Sequence, residues 1–161
     1  MIEVEIAGIA VDKTSNLPVV LLRDVKEKNW VLPIWIGPFE AEAISQGLRG
    51  EKFKRPLTHD LFLNVLKGLK VNVSEVIVSA LEDDTYYAEI YLKKGNSIFK
   101  IDSRPSDSLA LASKGKIPIF VKEKVMEKGG IRLELDKKKR AKDIRKYMED
   151  INPEDFGKFR M

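Results

Sequence analysis

Residues 54–81, "KRPLTHDLFLNVLKGLKVNVSEVIVSAL", change their apolar period in mid-course. Leu61, Phe62, Val65, Leu66 and Leu69 recur at helical spacing and predict an amphipathic helix over 58–69 with a wide core-facing stripe. Thr58 suits the N-cap, and Leu57 with Phe62 suits the N′ and N4 positions of a hydrophobic staple. Past Lys70, "VNVSEVIVSAL" is rich in β-branched residues and predicts a strand.

Working outward, the residues before this stretch read first as strands. "MIEVEIAGIAVD", "LPVVLLRD" and "WVLPIWIG" make an antiparallel meander. From Pro38 a helical period follows, with Ala41, Ile44 and Leu48 on one face, Glu42, Gln46 and Arg49 on the other, and Gly50 at its end. Beyond residue 81 come strands at "TYYAEIYL" and "SIFKID", joined by the turn "KKGN". A short helix is expected from Ser106 to near Gly115, then a buried strand "IPIFV" and a short helix "KEKVMEKGG". This order predicts an α+β fold with a mixed or antiparallel sheet and several helices in a single domain, not a doubly wound parallel sheet.

The chain has 161 residues, 43% hydrophobic and 34% charged, enough to bury a core without staples. No apolar run approaches the roughly 18–20 residues of a membrane span. The alternating start reads as a strand and not as a signal peptide, so a cytoplasmic protein with no membrane association is expected. There is no cysteine and one histidine, His59, which excludes Cys/His zinc sites, thiol nucleophiles and iron–sulfur clusters. Any metal would be a hard, oxygen-liganded ion such as Mg²⁺ or Mn²⁺. A single glutamine and abundant Lys and Glu match the bias of thermophile proteins.

The net charge is +4, but residues 137–146, "KKKRAKDIRK", hold seven bases and one acid, so the remainder has a balance of −2. The organisation expected is therefore a domain over 1–136 and a basic amphipathic C-terminal helix over 137–161. Ile144, Tyr147, Met148 and Ile151 give that segment an apolar face for its own body or for a second subunit, so a homo-oligomer, most simply a dimer, is expected. Its basic block is either a solvated helix face or a phosphate contact.

The helical stretch has an echo. "RPLTHD" (55–60) and "RPSD" (104–107) each lead from Arg-Pro through a hydroxyl and an aspartate into an apolar run. Proline fixes the approach, and a helix start offers free amides and partial positive charge to an anion. Thr58 and Ser106 would cap these starts, while Arg55 and Arg104 would add forks suited to phosphate. The plainer reading is local: Arg55 bridging Asp60, and Arg104 bridging Asp102 or Asp107. His59, off the apolar stripe, is placed to move a proton near a bound anion, and the helix start should keep it neutral. No HExxH, P-loop, GxSxG or GxGxxG is present, so serine-hydrolase, kinase and dinucleotide readings have no support.

Taken together, "LPIWIGPFEAEAI" (32–44), "RPLTHDL" (55–61), "DSRPSDSLALA" (102–112), "IPIFV" (117–121) and "KYMEDINPEDF" (146–156) resemble the bifunctional-nuclease domain family along essentially the whole chain. The resemblance implies a small α+β domain and, as described for plant members, hydrolysis of DNA and RNA. Its motif positions are Glu40 and Glu42; Arg55, Thr58, His59 and Asp60; Asp102, Arg104, Ser106 and Asp107. This chain departs at Ser103 and Ser108, where alanine is usual, and at "SKGK", where an arginine-bearing helix end is common, which questions a cationic contact there. The expected function is a metal-assisted nuclease of low sequence specificity. His59, Asp60 and Asp107 would be catalytic, Arg55, Thr58, Arg104 and Ser106 would bind substrate, and Asp102, Asp107 and Glu42 would hold Mg²⁺ or Mn²⁺. The alternative is a non-catalytic, oligomeric anion-binding or regulatory protein.

Overall fold

The structure is a computed structural model that describes residues 1–133; the expected basic block and C-terminal helix over 137–161 lie outside the described residues. Among the described residues eight strands and four helices follow in the order β1 (Ile2–Val11), β2 (Pro18–Asp24), β3 (Trp30–Trp35), α1 (Pro38–Leu48), α2 (Thr58–Gly68), β4 (Asn72–Glu82), β5 (Thr85–Lys94), β6 (Ser97–Ser103), α3 (Pro105–Gly115), β7 (Ile119–Val121), α4 (Glu123–Gly129) and β8 (Ile131–Arg132). This is the α+β, single-domain arrangement expected from the element order.

One sheet holds every strand, in the order β6-β5-β4-β7-β1-β2-β3-β8. It consists of two antiparallel meanders, β1–β3 and β4–β6, sewn together by the three residues of β7. That strand runs antiparallel to β1 and parallel to β4, the sheet's one parallel pair. "IPIFV" is apolar because its strand is flanked on both sides. At the β5–β6 hairpin Gly95 supplies the positive φ of 58° that the tight turn needs.

The principal core lies between the sheet and the helices. Ala41 and Ile44 of α1 and Leu109 to Ala112 of α3 join Val20, Leu22, Ile34, Val76, Val78 and Ile90 of the strands. A second, smaller cluster of Val19, Leu21, Val31 and Leu133 occupies the β1–β3 end. Helices α1 and α3 pack closely because Gly47 faces Ser113; a β-carbon there would collide with the Ser113 hydroxyl. Helix α3 is buried on most of its circumference, Ser106 and Ser108 included.

Helix α2 departs from expectation. None of its residues is buried, and four of the five residues of the expected stripe lie open, Leu61 56% exposed, Phe62 43%, Val65 51% and Leu69 57%, with Leu66 half-buried. Leu63, not the stripe, packs against the core. The reason is position: α3 already covers β4 and β5, and α2 lies against α3 with little sheet of its own. Leu48 of α1 is likewise exposed.

Both caps are also shifted by one or two residues. Leu57, in extended geometry, takes the N-cap of α2, and Asp60 accepts its amide proton at 2.9 Å, reaching back from N3 as the acid of a capping box does. Thr58 therefore makes no cap bond. Arg104 takes the N-cap of α3, with Pro105 at N1, so Ser106 falls inside the helix. Among the described residues no helix is long and apolar enough to cross a membrane.

Candidate functional site

The two Arg-Pro segments meet. A cleft of about 700 Å³ is lined by Pro56, Leu57, Thr58 and His59 at the start of α2 and by Arg104 and Asp107 at the start of α3. Helix α1 supplies the third wall through Phe39, Glu40, Glu42, Ala43 and Gln46, and Lys114 closes the floor. Because α1 packs on α3 and α3 on α2, three helices contribute to one opening.

Arg104 is its organising cation. Its Nε and Nη2 donate to the two carboxylate oxygens of Asp107 at 2.7 and 3.0 Å, and its Nη1 donates to Glu40 at 3.2 Å. The paired acids, Asp107 first, raise the guanidinium's already high pKa. The local bridge to Asp107 therefore forms, and the one to Asp102 does not. A guanidinium has five N–H bonds, so three such contacts leave two donors for a ligand.

His59 faces the same aspartate: its Nε2 lies 3.8 Å from Asp107 Oδ1, an ion-pair distance too long for a hydrogen bond. Residues one past the start of α2 and two past the start of α3 thus come together although 48 positions apart in sequence.

Asp60 faces α3, not Arg55. Burial pushes its carboxyl upward, but the Lys114 ammonium at 2.9 Å and the Leu57 amide outweigh this and hold it below the usual carboxylate range. Lys114 is the residue that reading the sequence missed. Its side chain is 6% exposed, and it lies in "SKGK", the helix end at which the sequence departs from the expected arginine. Seven residues beyond Asp107, it falls on the same face of α3, and that spacing was the available signal. Lysine thus supplies the cationic contact expected of an arginine there.

Other expected residues stand apart. Arg55 is exposed, forms no ion pair among the described residues and does not line the cleft. Ser106 is buried at 1% exposure, with its hydroxyl lacking a hydrogen-bond partner, and does not reach the cleft. Asp102 is exposed on β6; it pairs in register with Glu89, while its neighbour Ile101 pairs with Ile90 of the core, so the strand pleat turns Asp102 away from the helices. Glu42 lines the cleft but bonds Gln46 and Arg49. Among the described residues no three acidic or histidine side chains are grouped to hold a metal ion. Ser103 and Ser108, two of the places where the sequence departs from the expected family pattern, hydrogen-bond each other at 2.5 Å.

Over residues 20–134 the sequence matches the model of the bifunctional nuclease domain. An uncharacterized protein of Mycobacterium tuberculosis is 33% identical over 163 residues, covering 96% of this chain and 97% of its own. Bifunctional nuclease 1 of Oryza sativa subsp. indica is 26% identical over 106 residues, 64% of this chain and 32% of the plant protein. Bifunctional nuclease 2 of Oryza sativa subsp. japonica is 25% identical over 128 residues, 78% of this chain and 39% of the plant protein. The matched region is therefore a minor part of each plant relative.

Proposed function

This chain belongs to the bifunctional nuclease domain family, and from that premise we propose that it hydrolyses phosphodiester bonds of nucleic acid, with little sequence preference, in the cleft between α1, α2 and α3. The observation that carries the reading is the meeting of His59, Asp107 and Arg104 from two separate segments.

The roles follow from the geometry. Asp107 and Glu40 fix the guanidinium of Arg104, whose remaining donors would take a non-bridging phosphate oxygen. Thr58 and the first amides of α2, which have no intrahelical acceptors, would take another. His59 would withdraw a proton from the attacking water as its oxygen bonds to phosphorus and the ester P–O bond breaks. Asp107 would stabilise the imidazolium so formed. Asp60 would hold the α2 start against Lys114, a positioning task in place of the catalytic one first expected.

Glu42 and Asp107 share the cleft, and with a substrate phosphate they would provide the one or two carboxylates that Mg²⁺ or Mn²⁺ ordinarily takes from a protein, adding positive charge at the phosphate. Asp102 has no part in that set.

The non-catalytic reading also has an observation behind it. Glu40, Glu42 and Asp107 outnumber Arg104 and Lys114 in the lining, so an incoming anion meets a compensated site. Purified protein assayed on single-stranded and duplex substrates, with and without EDTA, decides between the two. The nuclease reading expects activity that falls about 10²–10⁴-fold in His59→Ala and drops in Asp107→Asn. Activity surviving both substitutions, or a phosphate-induced thermal shift without hydrolysis, would overturn it.

A further inference from the structure

Three large apolar side chains of α2, Leu61, Phe62 and Val65, and those of its two caps, Leu57 and Leu69, are exposed, as are Ile98, Phe99 and Ile101 of β6. Phe99 and Ile101 pair with Leu92 and Ile90 of the core cluster, so these two strand residues lie on the sheet face that the helices cover, while Leu63 alone of α2 packs against that cluster. The exposed ridge of α2 points away from α3: Asp60 binds Lys114, and Leu61, Val65, Leu69 and Phe62 lie roughly 100–200° round the helix from it. Leaving out Leu57, which lines the cleft, and Ile98, which the pleat turns to the other face, covering the remaining six would bury on the order of 500 Å² per copy, at the upper end of a typical monomer patch, and pairing of the β6 edges would add backbone area toward the roughly 800 Å² per partner of a standard interface.

β6 is at the same time an edge strand, seven residues long and without proline. Its sequence is self-complementary in one register. A two-fold axis normal to the sheet must pass through a residue. Centred on Lys100 or Asp102 it sets like charges face to face, and centred on Phe99 it sets Lys100 against Ile98. Centred on Ile101, it stacks Ile101 on its copy and places Lys100 opposite Asp102 twice. Asp102 forms no ion pair within its own copy among the described residues, whereas Lys100 binds Glu89 at 3.1 Å and in this register would bridge that carboxylate and the other copy's Asp102.

We propose that this face is a two-fold interface with a second copy of the chain, in which β6 pairs antiparallel with β6 about Ile101 and the α2 ridge is covered in the same contact. The chain's own continuation is a poorer occupant. The last described residue, Leu133, follows β8 at the opposite edge of the sheet, seven strand spacings or roughly 33 Å from β6. About ten extended residues would be spent in crossing that distance. The inference stands apart from the nuclease reading, since it requires no activity.

Sedimentation equilibrium of the full-length protein across micromolar concentrations at about 0.15 M salt tests it. The expected mass is twice 18.3 kDa. Val65→Asp with Leu69→Asp, both at exposed positions, should raise the dissociation constant at least about 100-fold while circular dichroism and thermal midpoint show a folded chain. Lys100→Glu should weaken association, and adding Asp102→Lys should restore it, because the exchanged charges face each other again. A monomer at every concentration, whether the ridge is bare or covered by residues 134–161, overturns the proposal, as does undiminished association of the α2 variant. Failure of the charge exchange to restore association overturns the pairing about Ile101.

Discussion

Replacing Lys114 by Met removes the ammonium that ties α2 to α3 while keeping most of the stem's volume. The Lys114 side chain is 6% exposed and Asp60 32%, with 2.9 Å between them. Exposed pairs contribute about 0–1 kcal/mol, whereas stripping one partner from a fully buried pair costs about 3–5 kcal/mol. A pair with one end buried and the other partly wet falls between, at about 2 kcal/mol. For a domain of this size that lowers the thermal midpoint by about 6 °C.

The effect should depend on pH in one direction. Asp60's carboxyl is held below its ordinary value: burial opposes this, but Lys114 and the Leu57 amide prevail. A group whose folded pKa is depressed contributes stability above its unfolded pKa, near 3.8, and loses it as pH falls through the folded value. The gap between wild type and Lys114→Met should therefore be full at pH 7 and shrink below about pH 4. Urea unfolding followed by the fluorescence of Trp30 and Trp35 measures it. A gap under about 0.5 kcal/mol at pH 7, no more than an exposed pair contributes, or one unchanged at pH 3, would refute the reasoning.

Two further outcomes follow from the packing and from Arg104. Gly47→Val drives a branched side chain into Ser113 and should destabilise the protein by about 2–3 kcal/mol in the same urea titration, since neither helix backbone can retreat from the core. Arg104→Lys loses the fork that grips Asp107 and Glu40 together; KM for an oligonucleotide should rise about tenfold with little change in folding stability, measured by steady-state kinetics beside thermal melts.

Much of the fold was legible because strand alternation and helical period are local properties. The meanders, the four helices of the described residues and the buried "IPIFV" strand follow from spacing together with capping and turn residues. What spacing cannot state is which partner covers an apolar stripe. The stripe of α2 was read as core-facing because amphipathic helices usually are, whereas α3, with a weaker pattern, holds the buried position between α1 and the sheet. The same gap explains the site. Arg55 and Arg104 look equivalent in sequence, yet the first is solvated and the second is clamped by two acids from different helices. Asp102 and Asp107 fall in one motif beside the same Arg-Pro, but the strand pleat turns Asp102 away from the helices. Ser106 was read as a cap because Arg-Pro was placed outside the helix, when Pro105 is its first residue. Lys114 needed only the i+7 spacing from Asp107 to be placed correctly.

A crystal structure with a short single-stranded oligonucleotide bound to His59→Ala, which slows cleavage, addresses the shared cleft most directly. A phosphate should lie within hydrogen-bond reach of Arg104 and the first amides of α2, with its phosphorus facing the space vacated by the imidazole. A phosphate bound elsewhere on the surface, with Arg104 still closed on Asp107 and Glu40, would contradict it.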